Sequence, residues 1–484
     1  MNWKVISRNI GCALLVSALF MFFSIIISVS EGNDSALAAL IISFTITFIV
    51  GIFPFIFVRK TDVISLKEGY VIITLSWLMS FVFGLLPYAL WGGPFTLQNA
   101  LFESVSGYTT CGATILDKVE ALPRSLLFWR ASTHFIGGLG VVVFLLLIIP
   151  ESSPMRMRLT NMELTSLSRG GYSSNSNRVV FIFAYVYIVL VLLSFLAYML
   201  AGMSPFDAIC HAMSVVSTGG FSTRNISIAA FDSAAVEAVS VLFMYLSSLH
   251  FGVLYLTVVS RSLKPLNNPV FKAYSIGILA VSLVIAAGLK FGGYSEGWGE
   301  SLWDGLFTTV SFVSTTGFAT LDNASWPYWM MFLLAFCCII CGSSGSTCSG
   351  IKVDRAVLFF KSLGRYVGNI LHPSSVNEIR MGRRILRDDE VYPHLLYIGL
   401  YLLVLLVSTF VCIASGMKFE DSYVASVMLT GNVGPGCGTM GTMGSFNGIP
   451  MLAKLMLSLD MFLGRIEIYP LLAVAGMIFG RSRR

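Results

Sequence analysis

Four short polar runs in this 484-residue chain carry the residue types needed to hold a bare cation on backbone oxygen. They read Thr109-Thr110-Cys111-Gly112, Ser217-Thr218-Gly219-Gly220, Ser314-Thr315-Thr316-Gly317 and Thr430-Gly431-Asn432-Val433-Gly434. An Asn or Asp stands 13 positions ahead of each closing glycine, at Asn99, Asp207, Asp304 and Asp421. A fourfold recurrence at a period of roughly one hundred residues is an internal repeat, and a repeat sets architecture before other signals do. Rings of main-chain carbonyls replace the lost water of a dehydrated monovalent cation without the tight binding of a carboxylate ring. Glycine lets the chain aim such carbonyls through conformations that other residues avoid. The four runs contain no acidic residue, which argues against a divalent ion. One run alone reads as a polar turn between helices; four in register read as an ion filter.

The elements that must position these runs are apolar helices. The chain is 56% hydrophobic and 12% charged, with mean hydropathy +0.81, far from the quarter charged of a usual soluble domain. Most apolar runs reach the about 20 helical residues that cross a bilayer. Polar, glycine-rich backbone survives at that depth only where protein buries it or it lines a watery path. An apolar run at 10–29 follows Lys4 and Arg8 like a signal peptide, but it is long and lacks an Ala-x-Ala site, so it reads as an uncleaved span. A second span covers about 37–58.

Four units follow at about 69–149, 179–260, 272–362 and 393–480, each a span, a short helix, a glycine run and a second span. Such a unit returns to its starting side, so the four are parallel repeats. The prediction is an all-α polytopic membrane protein of ten transmembrane helices. Four repeats stand in pseudo-fourfold arrangement around one pore, and two helices precede them. The divisions are 1–68 for the leading pair, 69–178 for repeat 1 with a cytoplasmic loop, and 179–271 for repeat 2. Repeat 3 covers 272–392 with a gating loop at 342–350 and a cytoplasmic loop, and repeat 4 covers 393–484.

Most Lys and Arg fall on the side of the termini, among them Arg59, Lys60, Arg156, Arg158, Arg169, Arg178, Lys352, Arg355, Arg380, Arg383, Arg384, Arg387, Arg481, Arg483 and Arg484. By the positive-inside rule both termini are cytoplasmic and the glycine runs open outward. The net charge of +6 therefore reports topology, and nucleic acid is not among the expected partners. Ser204-Pro205 reads as the cap and first residue of one short helix, with Asp207 in its first turn. Asn99, Asp304 and Asp421 are expected in the equivalent places, suiting the positive helix end, so that the negative ends aim at the axis.

At these residues the chain resembles the Trk/Ktr/HKT potassium transporters. The runs at 106–114, 217–222, 314–318 and 432–436 look like that family's four filter loops, and the two extra leading spans are most similar to its TrkH-type pore subunits. The resemblance covers essentially the whole chain. It implies potassium uptake across a bacterial inner membrane through a channel-like pore. The implied K+-binding residues are Thr109, Thr110, Cys111, Gly112, Ser217, Thr218, Gly219, Gly220, Ser314, Thr315, Thr316, Gly317, Asn432, Val433 and Gly434. Cys111 stands where the family often has Thr, and Gly112 is Ser in sodium-selective plant members. No cofactor is implied beyond the transported ion. The resemblance also implies a homodimer and a cytosolic, nucleotide-binding TrkA-type regulatory subunit. The basic stretch 352–387 is a docking surface for that subunit or a contact with membrane lipid. An obligatory symporter coupled to protons or sodium is the alternative mechanism, and a membrane enzyme or scaffold the alternative of another class. No Walker loop, nucleophile elbow or zinc-protease motif supports an enzyme.

Two further stretches stand out. An apolar helix at 330–341 is interrupted by nine small residues, 342–350, before apolar sequence resumes. Either the span ends there or, as the resemblance implies, Gly342, Ser343, Ser344, Gly345, Ser346, Thr347 and Gly350 belong to an intramembrane gate. Arg465 sits in the middle of the last span, where a charge costs about 2.5–3.5 kcal/mol on insertion scales and needs a partner or a watery cavity. A structural ion pair with Asp460, Glu467 or another helix is one reading; the resemblance places the residue in the ion path as part of the gate. Glu103 on the first short helix reads as a cation attractor at the mouth or a hydrogen-bonded packing residue. Arg130, His134 and His250 lie near the starts of second spans. Gly137-Gly138-Leu139-Gly140 suggests close helix packing. The nine cysteines, including Cys338-x-x-Cys341, lie mostly in apolar or filter-like segments and read as packing residues.

Overall fold

The computed structural model describes residues 1–58, 65–147, 176–374, 377–381, 384–436 and 440–479. The cytoplasmic loop expected after the first repeat lies outside them, as do Arg59, Lys60, Arg156, Arg158, Arg169, Arg383, Cys437, Arg481, Arg483 and Arg484.

Two helices lead, α1 (Trp3–Ser30) and α2 (Leu37–Phe57). They cross where both lack side chains: a Cβ on Gly11 would stand 2.5 Å from the Gly51 carbonyl oxygen. The first unit holds α3 (Leu66–Gly84), α4 (Leu86–Trp91), the short α5 (Leu97–Tyr108) and α6 (Arg124–Leu147). The second holds α7 (Ser176–Leu200), α8 (Pro205–Val216), α9 (Ala234–Ser248) and α10 (Phe251–Val259). The third holds α11 (Pro269–Phe291), α12 (Trp298–Val313), α13 (Tyr328–Ile340) and α14 (Val353–Leu371). A two-stranded antiparallel hairpin follows, β1 (Ile379–Met381) on β2 (Arg384–Leu386), a small exception to the all-helical expectation. The fourth unit holds α15 (Asp388–Ala414), α16 (Phe419–Thr430), α17 (Met451–Ile466) and α18 (Ile468–Phe479).

Among the described residues six helical stretches are long and apolar enough to cross a membrane, and α9 with α10, bent by 102°, makes a seventh if the pair is one broken span. Continuous second spans were expected in units two and four, and here the structure differs. In unit two the ladder stops at Leu249, and the His250 imidazole accepts from the backbone N–H groups of Gly252 (3.0 Å) and Val253 (3.3 Å). That side chain satisfies the orphan donors of a new helix, so the chain can turn without leaving them bare. In unit four the break is at Glu467, with φ 56°. In unit three the interruption runs from Cys341 to Lys352, slightly wider than the small-residue run. The outward faces of α2, α7 and α15 expose Phe53, Ile56, Leu193, Leu196, Leu406 and Phe410, an apolar girdle suited to lipid.

Candidate functional site

The four short helices α5, α8, α12 and α16 end in the same way. Their last residues are Tyr108, Val216, Val313 and Thr430, followed by right-handed caps at Thr109, Ser217, Ser314 and Gly431. The next residue is left-handed in every case: Thr110 (φ 53°), Thr218 (55°), Thr315 (57°) and Asn432 (52°). The N–H after it reaches back to the third-last helical carbonyl. Cys111 donates to Ser106 at 2.9 Å, Gly219 to Ser214 at 2.8 Å, Thr316 to Ser311 at 3.0 Å and Val433 to Met428 at 2.9 Å. This is the Schellman closure, which ordinarily places glycine at the left-handed position. Three threonines there cost about 1–2 kcal/mol each, so the surroundings impose the turn, as strain at functional sites generally requires.

The closing glycines return to positive φ: Gly112 83°, Gly220 81°, Gly317 76° and Gly434 95°. They meet in cyclic order. A Cβ on Gly112 would stand 2.1 Å from the Gly219 oxygen, and one on Gly220 2.1 Å from the Thr316 oxygen. One on Gly317 would stand 2.0 Å from the Val433 oxygen, and one on Gly434 2.6 Å from the Cys111 oxygen. Each glycine thus abuts the carbonyl just before the glycine of the next unit, and the fourth abuts the first. The runs that recur along the sequence form one closed ring in space. Above it a pocket is lined by all four glycines with Phe221, Arg130 and Phe446.

Helix register explains the spacing of 13 in three units: Asn99, Asp207 and Asp421 are each the third helical residue. Asp304 departs from that expectation. The helix α12 begins at Trp298, so Asp304 lies in its second turn. The capping atoms are the hydroxyls of Thr96 and Ser204, which accept from the N–H groups of Asn99 (3.3 Å) and Asp207 (3.1 Å). Asp207 instead ties the segment beyond the second glycine to the helix start, accepting from Thr223 at 2.6 Å.

Glu103 is fully buried and does not face the mouth. It accepts from Arg130 Nε (2.9 Å), Thr114 Oγ1 (3.0 Å) and the Ile115 N–H (3.0 Å). The Arg130 guanidinium lies 3.9 Å from the centre of the Phe221 ring and donates to the Ser222 carbonyl at 3.2 Å. This cluster fastens the segments behind Gly112 and Gly220 to each other. Breaking a buried pair by removing one partner costs about 3–5 kcal/mol. Glu103→Ala is therefore expected to lower the thermal midpoint clearly, and a melting curve like that of the parent would remove Glu103 from the supporting frame. His134 stacks on Phe221 with ring centres 4.1 Å apart and touches Ser214 Oγ at 3.1 Å. The glycines of α6 do allow close approach: a Cβ on Gly137 would meet the Tyr108 oxygen at 1.8 Å, and one on Gly138 the Ser217 Cβ at 2.7 Å.

The segment 341–352 packs under this ring. Thr347 Oγ1 donates to the carbonyls of Val216 (3.0 Å) and Ser247 (3.3 Å). Cys348 Sγ lies 3.0 Å from the Ser314 oxygen, and Asn432 Nδ2 donates to Ser349 Oγ at 2.9 Å. The loop thereby touches the ends of three of the four short helices. Its outer side is pinned at the break in unit two, where the Ser343 N–H donates to the Ser248 oxygen and the Phe251 N–H to the Gly345 oxygen, both 3.0 Å. The Ser344 N–H is held by Asp354 Oδ2 at 2.6 Å, and Lys352 Nζ donates to the Cys348 carbonyl.

Arg465 occupies the penultimate position of α17 and is 4% exposed. It donates to the Thr347 carbonyl at 2.6 Å and to the Gly137 carbonyl at 3.0 Å. The expected acidic partners are engaged elsewhere: Glu467 pairs with Arg355 at 2.6 Å and Asp460 contacts Ser408. Among the described residues Arg465 forms no ion pair. The charge is shared between the loop and the wall of the first unit.

Architecture and site together define a predominantly helical, multi-pass membrane protein whose polar backbone is gathered at one axis. A family model described as "TrkH: Cation transport protein" matches residues 37–288 and 294–480. The chain belongs to this family, whose members are transporters and not enzymes. It is 30% identical over 491 residues to the Trk system potassium uptake protein TrkH of Escherichia coli strain K12, with all of both chains covered. It is 31% identical over 499 residues to the Trk system potassium uptake protein TrkI of Halomonas elongata, covering 99% of this chain and 98% of that one. The crystal structure of the potassium transporter TrkH from Vibrio parahaemolyticus superposes with a TM-score of 0.87 at 28% identity, over 98% of each chain.

Proposed function

We propose that the chain takes up potassium across a bacterial inner membrane through a channel-like pore, with the four glycine turns as its selectivity filter. The observation that carries this reading is the closed cycle in which each glycine abuts the next unit's carbonyl. Four equivalent turns at the ends of four short helices supply oxygens without carboxylates, and the helix ends add partial negative charge toward the axis. The residues 109–112, 217–220, 314–317 and 432–434 are its ion-binding positions. The test is flux from purified protein in proteoliposomes, comparing potassium, rubidium and sodium. Potassium and rubidium should pass in preference to sodium without obligatory movement of protons or sodium. Equal passage of all three ions, or no flux, would defeat the reading.

The segment 342–350 and Arg465 form the gate under this filter. Support comes from the bonds by which the loop reaches the ends of three short helices and receives Arg465. Deleting Ser343–Thr347 is expected to raise flux and make it less dependent on any regulator. Low flux from a folded deletion variant would show that the barrier lies elsewhere. The ten-span topology with four parallel repeats, both termini cytoplasmic and the divisions at 68, 178, 271 and 392 belongs to the same reading, as do a homodimer and a cytosolic TrkA-type regulatory subunit. The likeness to proteins of the Trk system supports such partners.

A further inference from the structure

Asp460 is a buried carboxyl that the pore does not use. It sits on α17 behind the fourth quadrant of the ring, with 0% exposure. One oxygen, Oδ2, contacts Ser408 Oγ on α15, and that hydroxyl lies 2.9 Å from Ser426 Oγ on the short helix α16. The other oxygen, Oδ1, is buried and has no hydrogen-bond partner among the described residues. Both serines are also fully buried. The three side chains therefore link the first span, the short helix and the second span of unit four.

Among the described residues the surroundings offer no countercharge. From α15 the titratable side chains facing Asp460 are Tyr401 and Cys412; α16 presents Ser426. On α17 itself the cations point away. Lys454 donates to Asn99 Oδ1 and the Asn447 carbonyl, both at 2.8 Å, while Arg465 donates to Thr347 and Gly137. At 100° per residue the five-residue step to Arg465 places it about 140° around the helix. A carboxylate in apolar surroundings without a cation costs several kcal/mol, and an ionised carboxylate also wants several donors at both oxygens. Four side-chain oxygens likewise fall short of the six or more that hard metal ions gather. A neutral acid has the opposite needs: one O–H to give and one oxygen that tolerates burial.

We propose that Asp460 is a proton-binding site, holding its proton at neutral pH as a carboxylic acid whose O–H donates to Ser408 and, through that hydroxyl, orders Ser426 on the short helix behind Gly434. The ligand is the proton itself, resident and not carried with the transported ion. The measurement concerns protonation and not transport, so it stands apart from the proposed pore function.

The test is infrared spectroscopy of the purified full-length protein labelled with carboxyl-13C aspartate. At neutral pH a protonated-carboxyl C=O band that moves with the label should be present, and Asp460→Asn should remove it. Asp460→Asn, which mimics the neutral acid, should keep the parent's thermal midpoint, and Ser408→Ala should shift the band without abolishing it. Absence of the band in the parent protein would overturn the proposal, and this arm needs no variant to fold. So would a band that persists in Asp460→Asn or, should that variant misfold, one that Ser408→Ala leaves unmoved. A sodium-dependent rise in the parent's thermal midpoint, lost in Asp460→Asn, would assign the site to a metal ion instead.

Discussion

Arg465→Ala is expected to raise potassium flux by about tenfold or more while leaving the amount of folded protein unchanged. The guanidinium gives one N–H to the Thr347 carbonyl at 2.6 Å and another to Gly137 at 3.0 Å, so it latches the loop to the wall of the first unit. A hydrogen bond to a charged group contributes about 1.5–3 kcal/mol, and about 1.4 kcal/mol changes a closed-to-open ratio tenfold. On the proposed reading, the fixed charge also raises the barrier to a cation leaving the filter. Removing it orphans no acid, because Glu467 keeps Arg355 and Asp460 has its own hydroxyl partner. A structural role predicts the opposite sign, with lower flux and a lower melting temperature. One flux assay paired with one melting curve separates the two.

Gly112→Ser should raise sodium permeation relative to potassium by about tenfold, equivalent to about 1.4 kcal/mol of lost discrimination. The new Cβ would begin 2.1 Å from the Gly219 oxygen at a φ of 83°, so either the serine's own turn or its neighbour must move. Whichever moves, a carbonyl leaves its place in the proposed selecting ring. Gly434→Ser makes a useful companion, because its corresponding gap is 2.6 Å and the displacement is smaller. Selectivity should therefore degrade less there than at Gly112. An unchanged ion ratio in a folded Gly112→Ser protein would take the first turn out of the filter.

Much of this molecule was legible from the chain alone. The helical, membrane-embedded class follows from apolar length and composition, since hydrocarbon leaves backbone polar groups no partner outside a helix. The four glycine runs follow from their recurrence and common offset, which is a local property: a short helix of fixed register and one turn. The interruption in unit three was likewise written in nine consecutive small residues.

Other features depended on contacts between distant segments. Pattern alone cannot separate a left-handed threonine from an ordinary one, because the neighbouring loops impose that conformation against its intrinsic preference. The bend at His250 was hidden because a histidine in an apolar stretch gives no hint that its ring will cap a helix. Asp304 kept the offset of 13 yet lost the first-turn position, because the preceding residues 298–301 extend the helix. Glu103 and Arg465 each had two readings in sequence. Burial and hydrogen-bond partners gave Glu103 to Arg130, and gave Arg465 the Thr347 and Gly137 carbonyls in place of an acid. The repeats, spans and polar turns were determined by the sequence itself, through periodicity and the demands of the bilayer. Which charge meets which carbonyl across the axis was decided only by tertiary structure, because those partners stand 118 and 328 residues apart in the chain.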